Sequence, residues 1–223
     1  QTKVNESLAV LEKLLENYEL LEFAILYNGG KDCLVMLLLV LSSIYKKYYQ
    51  VSPPKLLTDL KIDAVYVNAE IPFHELSAFI KTSAQRYHLR FVELKDSLQN
   101  GFATYLEQNL AIRAIIVGIR HSDPYGSTLQ AEQMTDGDWP RFLRIHPILN
   151  WNYVDIWDFL VGCNVEYCSM YNEGYTSLGG VHNTIPNPFL KDKNGYQPAY
   201  MLRDNADERE RLGRLKGNNI ENT

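Results

Sequence analysis

The chain has 223 residues, with 22 Lys+Arg against 27 Asp+Glu, so its formal net charge is −5, and 46% of its residues are hydrophobic. That suits one large domain with a real apolar core, or one domain with a smaller appendage, and it excludes collagenous and disordered chains. The longest apolar run, Leu34–Leu41, is far too short for a membrane span, and the acidic balance argues against nonspecific nucleic-acid binding.

The sequence opens at Gln1, read as a trimmed chain, without a charged-then-apolar leader pattern. Leu8, Leu11, Leu14, Leu15, Tyr18 and Leu21 recur at helical spacing, with Asn5 or Ser7 as the candidate cap. Phe23–Tyr27 is a short apolar run that fits a buried strand. It breaks at Asn28-Gly29-Gly30-Lys31-Asp32, and Cys33–Tyr49 resumes as a buried helix. Tyr49–Pro54 reads as a surface linker. The alternation then repeats: strand Ala64–Asn68, helix Phe73–Tyr87, strand Arg90–Leu94, helix Gly101–Asn109 and strand Ala114–Val117. Such alternation predicts an α/β fold, a parallel sheet with helices on both faces joined by right-handed crossovers.

His121–Asn150 is rich in turn formers and interrupts the rhythm. Asn152 and Asp155 read as a capping pair for a helix over Tyr153–Cys163. Residues 1–163 are thus expected to form the α/β core, and 164–223 a loop-rich subregion ending in a basic helix over Ala206–Lys216. Cys33, Cys163 and Cys168 form no C-x-x-C pair, so neither zinc nor a disulfide framework is expected, and a reducing, cytoplasmic home is. His74, His88, His121, His146 and His182 show no metal spacing; of these only His121 neighbours the expected site.

The strongest local signal is Ala24-Ile25-Leu26-Tyr27-Asn28-Gly29-Gly30-Lys31-Asp32-Cys33, a strand running through paired glycines into a helix. Glycines let a phosphate approach the backbone, and the helix start offers free N–H groups and the positive dipole end. Lys31 adds charge. The spacing is neither that of a Walker A loop nor that of the dinucleotide fingerprint. On its own it is equally compatible with an ordinary strand-to-helix turn. A second signal, Gly118-Ile119-Arg120-His121-Ser122-Asp123-Pro124, follows the last strand of the rhythm. Ligands of open parallel sheets bind outside the carboxyl ends of strands, so both strand ends point to one site. A third, Pro147–Trp157, is a capped amphipathic helix, and a fourth spans Tyr167–Gly179.

The first segment resembles the S-G-G-x-D-S loop of the PP-loop ATP pyrophosphatases, with Asn28 for the first Ser and Cys33, a weaker donor, for the last. Taken together, the four segments resemble the PAPS-reductase-like branch of that superfamily and, within it, the eukaryotic-type FAD synthetases. The likeness runs from about Leu21 to Gly179 and again from Tyr200 to Arg214, and Gly118–Pro124 with Thr135-Asp136-Gly137-Asp138-Trp139-Pro140 is its most specific part. The resemblance implies an adenine nucleotide alpha-hydrolase-like fold and the reaction of ATP with FMN to give FAD and pyrophosphate, with ATP and FMN as small-molecule partners, magnesium as cofactor, no nucleic-acid or membrane partner, and a monomer.

It also implies the site. Tyr27, Asn28, Gly29, Gly30, Lys31, Asp32, Cys33, Asn68 and Gly118 would bind ATP, with Asp32 as the candidate metal carboxylate. Flavin is a flat aromatic ring with polar edges, so Trp139 is expected against it, with Asp136 and Arg144 at its edge and Arg120 and Asp123 at the ribityl or phosphate region. Arg211 and Arg214, three apart and so on one helical face, would reach the β and γ phosphates and join Asn28 and Asp32 as the catalytic set. The competing readings are a sulfonucleotide reductase, which needs a nucleophilic cysteine after Cys168 that the sequence lacks, a tRNA-thiolating PP-loop enzyme, and a silent nucleotide- or flavin-binding module.

Overall fold

The computed structural model describes residues 1–50, 61–68 and 70–215. Its centre is a six-stranded sheet of β1 (Phe23–Leu26), β2 (Asp63–Val67), β3 (Arg90–Leu94), β4 (Ala114–Ile116), β5 (Glu132–Met134) and β6 (Leu143–Ile145). The strand order is β3-β2-β1-β4-β6-β5. All pairings are parallel except that of β5 with β6. The chain builds outward from β1 through β2 to β3, then returns to the other side of β1 with β4. The order therefore reverses between β1 and β4, which opens a crevice at their carboxyl ends.

Period-two alternation divides the core. Phe23 and Ile25 of β1 face the larger cluster, with α1 (Thr2–Asn17), α2 (Lys31–Tyr48), α3 (His74–Arg86) and α5 (Tyr153–Gly162). Ala24, Val65 and Ile115 face the opposite cluster, where Phe102 and Tyr105 of α4 (Leu98–Gln108) and Phe142 cover them. Helix α2 packs on both α1 and α5, which explains why Leu34–Leu37, Leu39 and Val40 are all buried. The expected capping box at Asn152 and Asp155 is present, with Asp155 N–H donating to Asn152 Oδ1 and Asn152 N–H to Asp155 Oδ2.

Three expectations are corrected. Helix α1 begins at Thr2 behind Gln1, so neither Asn5 nor Ser7 caps it; Ser7 Oγ instead donates to Lys3 O and accepts the Trp151 indole N–H. The turn-rich tract 121–150 holds the hairpin β5–β6, whose three-residue strands are too short to give a periodic signal. The terminal basic helix is a single turn, α6 (Ala206–Arg209), followed by a 3₁₀ turn over Glu210–Gly213. The linker expected at Tyr49–Pro54 lies outside the described residues from position 51 on, as does Lys216.

Residues beyond Cys163 pack into the main core through Cys168, Met170, Tyr171, Leu190, Ala199, Leu202 and Ala206. Trp157, fully buried, meets Tyr167, Tyr171 and Tyr200 edge-on. A small hairpin, β7 (Lys191–Asp192) with β8 (Gly195–Tyr196), projects from this part. No described helix is long and apolar enough to cross a membrane.

Candidate functional site

The glycine turn after β1 is shaped by one left-handed residue. Gly29 has φ +71, and a Cβ there would stand 2.6 Å from Ile80 Cγ1, so only glycine serves. Asn28 Oδ1 accepts the Gly30 N–H at 2.9 Å and folds the loop on itself. Gly30 is the N-cap of α2, and the Lys31 N–H donates to the Tyr171 hydroxyl at 2.9 Å. The positive end of α2 therefore opens toward the crevice beside β4.

Charges tie this loop to its neighbours. Arg120, with no solvent exposure, sits among Asp32 (3.0 Å), Asp123 (2.9 Å), Asp207 (3.2 Å) and Glu210 (2.5 Å). Lys31 Nζ, also buried, pairs with Asp32 at 2.9 Å and with Glu210. Burial alone would raise the Asp32 carboxyl; the charges of Lys31 and Arg120 outweigh it and hold Asp32 below the usual carboxylate range. Burial would likewise lower Lys31, but Asp32 and Glu210 hold its ammonium above its ordinary value. Both groups stay charged at neutral pH. Burial pushes the Cys33 thiol up to about 12, so it is neither a thiolate nor a nucleophile.

A cavity of about 400 Å³ opens on this cluster, lined by Asn28, Gly30–Cys33, Asn68, Gly118 and Asp123 together with Glu210, Arg211 and Arg214. Arg211 is exposed and makes no ion pair among the described residues. Arg214 is half-buried; Nη1 donates to Leu178 O at 2.8 Å, and Glu70 lies 3.8 Å from Nη2. Burial, then the neighbouring Arg211 charge, lowers its pKa, and the Glu70 charge offsets this only in part. The arrangement is a helix N-terminus and two arginines facing one space, which suits a polyphosphate.

Gly179 lets Arg214 into that space. A Cβ at position 179 would overlap the Arg214 guanidinium, the free end of a flexible side chain. Gly179→Ala is therefore expected to leave the melting temperature nearly unchanged while lowering the rate about tenfold, because it moves a site side chain and not the backbone. Equal kcat for the variant and the wild type would show that Arg214 is not needed where it lies.

The structure distributes the remaining expected residues unevenly. Tyr27 lies behind the loop, fully buried, with its hydroxyl donating to Ser83 Oγ at 2.8 Å, and it does not line the cavity. Arg120 is enclosed by carboxylates instead of bordering a ligand space, while Asp123 is on the lining. Lys31 is spent on Asp32 and Glu210, so the loop's own charge is internally matched. Asp136 and Arg144 pair at 2.7 Å, and Trp139 is 42% exposed beside them. None of these three lines the cavity; the first turn of α4 stands between, with Gly101 close to Val67 and Gln99 Nε2 donating to Asp138 O at 2.8 Å. Arg211 and Arg214 do reach the site, but through a 3₁₀ turn and an extended residue, not one helical face. Sequence reasoning missed Tyr171, Glu70, Asp207 and Glu210. Their partners are remote in the chain, 140 residues away for Tyr171 and 179 for Glu210, and no spacing rule reaches that far.

Comparisons with known proteins agree with this geometry. The phosphoadenosine phosphosulfate reductase domain matches residues 22–107 and 102–186. A probable FAD synthase of Schizosaccharomyces pombe is 40% identical over 94% of this chain and 78% of its own length. A probable FAD synthase of Caenorhabditis elegans is 37% identical over 93% of this chain, which spans only 40% of that longer protein. The crystal structure of Candida glabrata FMN adenylyltransferase in complex with FAD and inorganic pyrophosphate superposes with a TM-score of 0.89 at 32% identity, covering 98% of this chain and 88% of that one. By these matches the chain belongs to the FAD synthase family, built on the phosphoadenosine phosphosulfate reductase domain.

Proposed function

We propose that this chain transfers AMP from ATP to FMN, giving FAD and pyrophosphate. One observation carries the reading: the first residues of α2 and Arg211 and Arg214 line a single cavity. A phosphate oxygen of FMN attacks the ATP α-phosphorus as the bond to the α,β-bridging oxygen breaks, and pyrophosphate leaves with that electron pair. No protein nucleophile is required, and the buried Cys33 thiol offers none. The protein's share is positioning and charge stabilisation. Asn28 and Gly30 hold the phosphates by shape, with Asn68 and Gly118 also lining the cavity; Gly29, expected to bind ATP, lies off the lining against Leu76 and Ile80 and shapes the turn; and Arg211 and Arg214 receive the charge that develops on the leaving group.

The residues fit magnesium. Asp32 Oδ1 is a buried carboxylate oxygen without a well-aligned hydrogen bond, its one charged neighbour being Arg120 Nε at 3.0 Å, and Asp123 lines the same cavity. When bound, magnesium would neutralise phosphate charge; Asp32 is its first candidate ligand.

For flavin, Trp139 offers an exposed ring flanked by the Asp136–Arg144 pair, one α4 turn from the cavity. Trp139→Ala is expected to weaken FMN binding about tenfold, in line with about 1–3 kcal/mol for stacking on an aromatic ring, with kcat at saturating FMN little changed. Titration of flavin fluorescence measures it, and an unaltered Kd removes Trp139 from the pocket. Three free cysteines suit a reducing setting. Mixing the protein with ATP, magnesium and FMN tests the proposal: FAD and pyrophosphate should form in equal amounts. Binding of both ligands without FAD would leave only a binding module.

A further inference from the structure

Glu210 is the one residue of the C-terminal arm that is buried in the charge cluster and adjoins Arg211; it is 4% exposed. Its Oε1 accepts from Lys31 Nζ and its Oε2 from Arg120 Nη2. Its backbone carbonyl accepts from Thr176 Oγ1 at 2.6 Å. Asn187 Nδ2 in turn donates to Thr176 Oγ1 at 2.9 Å and to Arg209 O at 2.8 Å. The position before Arg211 is therefore held through both side chain and backbone, and its two anchors belong to the loops after β1 and after β4.

The arm has little order of its own. One helical turn and one 3₁₀ turn lie far below the length at which a helix stands alone. Arg211 has no ion pair to fix it among the described residues, whereas Arg214 is held by Leu178 O, by Glu70 at 3.8 Å and by its backbone bridge to Thr184. Where the Arg211 guanidinium stands is thus set largely by what holds residue 210, the residue before it. Both anchors are pure donors. A carboxylate meets them with two acceptor oxygens, whereas an amide would turn an NH₂ toward one of the cations.

We propose that Glu210 is the positioning residue of Arg211. It borders the cavity with both oxygens turned to Lys31 and Arg120, and it sets the rate by fixing the chain at Arg211 over the departing phosphates. The proposal rests on the AMP-transfer reading above.

The experiment is a double-mutant cycle on the full chain: wild type, Glu210→Gln, Arg211→Ala and the pair, with kcat for FAD formation, KM for both substrates, FMN Kd and melting temperature for each. Glu210→Gln is expected to lower kcat about thirtyfold and leave FMN Kd within about threefold, and Arg211→Ala to cost about a hundredfold alone but only about threefold in the Glu210→Gln background. A merely structural glutamate would lower the melting temperature and leave the arginine's effect multiplicative. Glu210→Asp covers the case in which the Glu210→Gln variant does not fold: it keeps the charge, withdraws the reach by one methylene, and should show the same non-additivity. An undiminished kcat, or an Arg211→Ala factor equal in both backgrounds, overturns the role of Glu210 alone. A wild type that makes no FAD overturns the functional reading and this proposal with it.

Discussion

Asp32→Ala is expected to lower FAD formation by about a thousandfold or more while the chain stays folded, at the upper end of what removing one preorganised electrostatic group costs. The carboxylate stands at the start of α2, on the cavity wall, between Lys31 and Arg120. Those two cations keep it ionised, so it faces the phosphates as a fixed hard anion, the kind of group that a magnesium–nucleotide needs and a free polyphosphate repels. Removing one partner of a buried ion pair normally costs about 3–5 kcal/mol, because the other is left unpaired. Here neither is: Arg120 retains Asp123, Asp207 and Glu210, and Lys31 retains Glu210. Turnover and stability should therefore separate. Pyrophosphate release and thermal unfolding on the same preparation measure both, and normal turnover would withdraw the assignment of the loop after β1.

Arg211→Ala and Arg214→Ala are each expected to lower kcat by about a hundredfold, with FMN affinity unchanged, since a donor aimed at developing charge acts in the transition state and not on the bound flavin. The two arginines differ in support. Arg214 is half-buried, rests against Gly179 and is steadied by Leu178 O, so its guanidinium plane is fixed. Arg214→Lys should rescue little, because an ammonium cannot reproduce the fork. Arg211 is exposed, and its placement depends on the residue before it. Parallel losses of kcat and of FMN affinity in fluorescence titration would put these arginines at the flavin instead of the phosphates.

Much of this was legible in the sequence because the signals are local. The alternation of apolar runs gave four of the six strands of the main sheet and five of the six helices to within a few residues. The left-handed turn at Gly29 and the capping pair Asn152–Asp155 are written in adjacent positions. The strands of the β5–β6 hairpin were not legible, since three residues carry no period. The Ala206–Lys216 stretch read as a helix because its composition favours one. The structure limits it to a turn, since Glu210 and Gly213 are drawn into the fold by Thr176 and Ile185.

What the sequence determined by itself is the α/β order, the phosphate-shaped turn after β1, and the residue types available to the site. Only the tertiary structure decided their use. Length, composition and a charge of −5 could not show that Lys31 and Arg120 would be neutralised internally, leaving Arg211 and Arg214 as the cations that face the cavity. The reason is physical. Whether a charge binds a ligand or a neighbour depends on which opposite charges lie within a few ångströms and how deeply the group is buried. For Arg120 and Glu210, 90 residues apart, only the folded chain sets that distance.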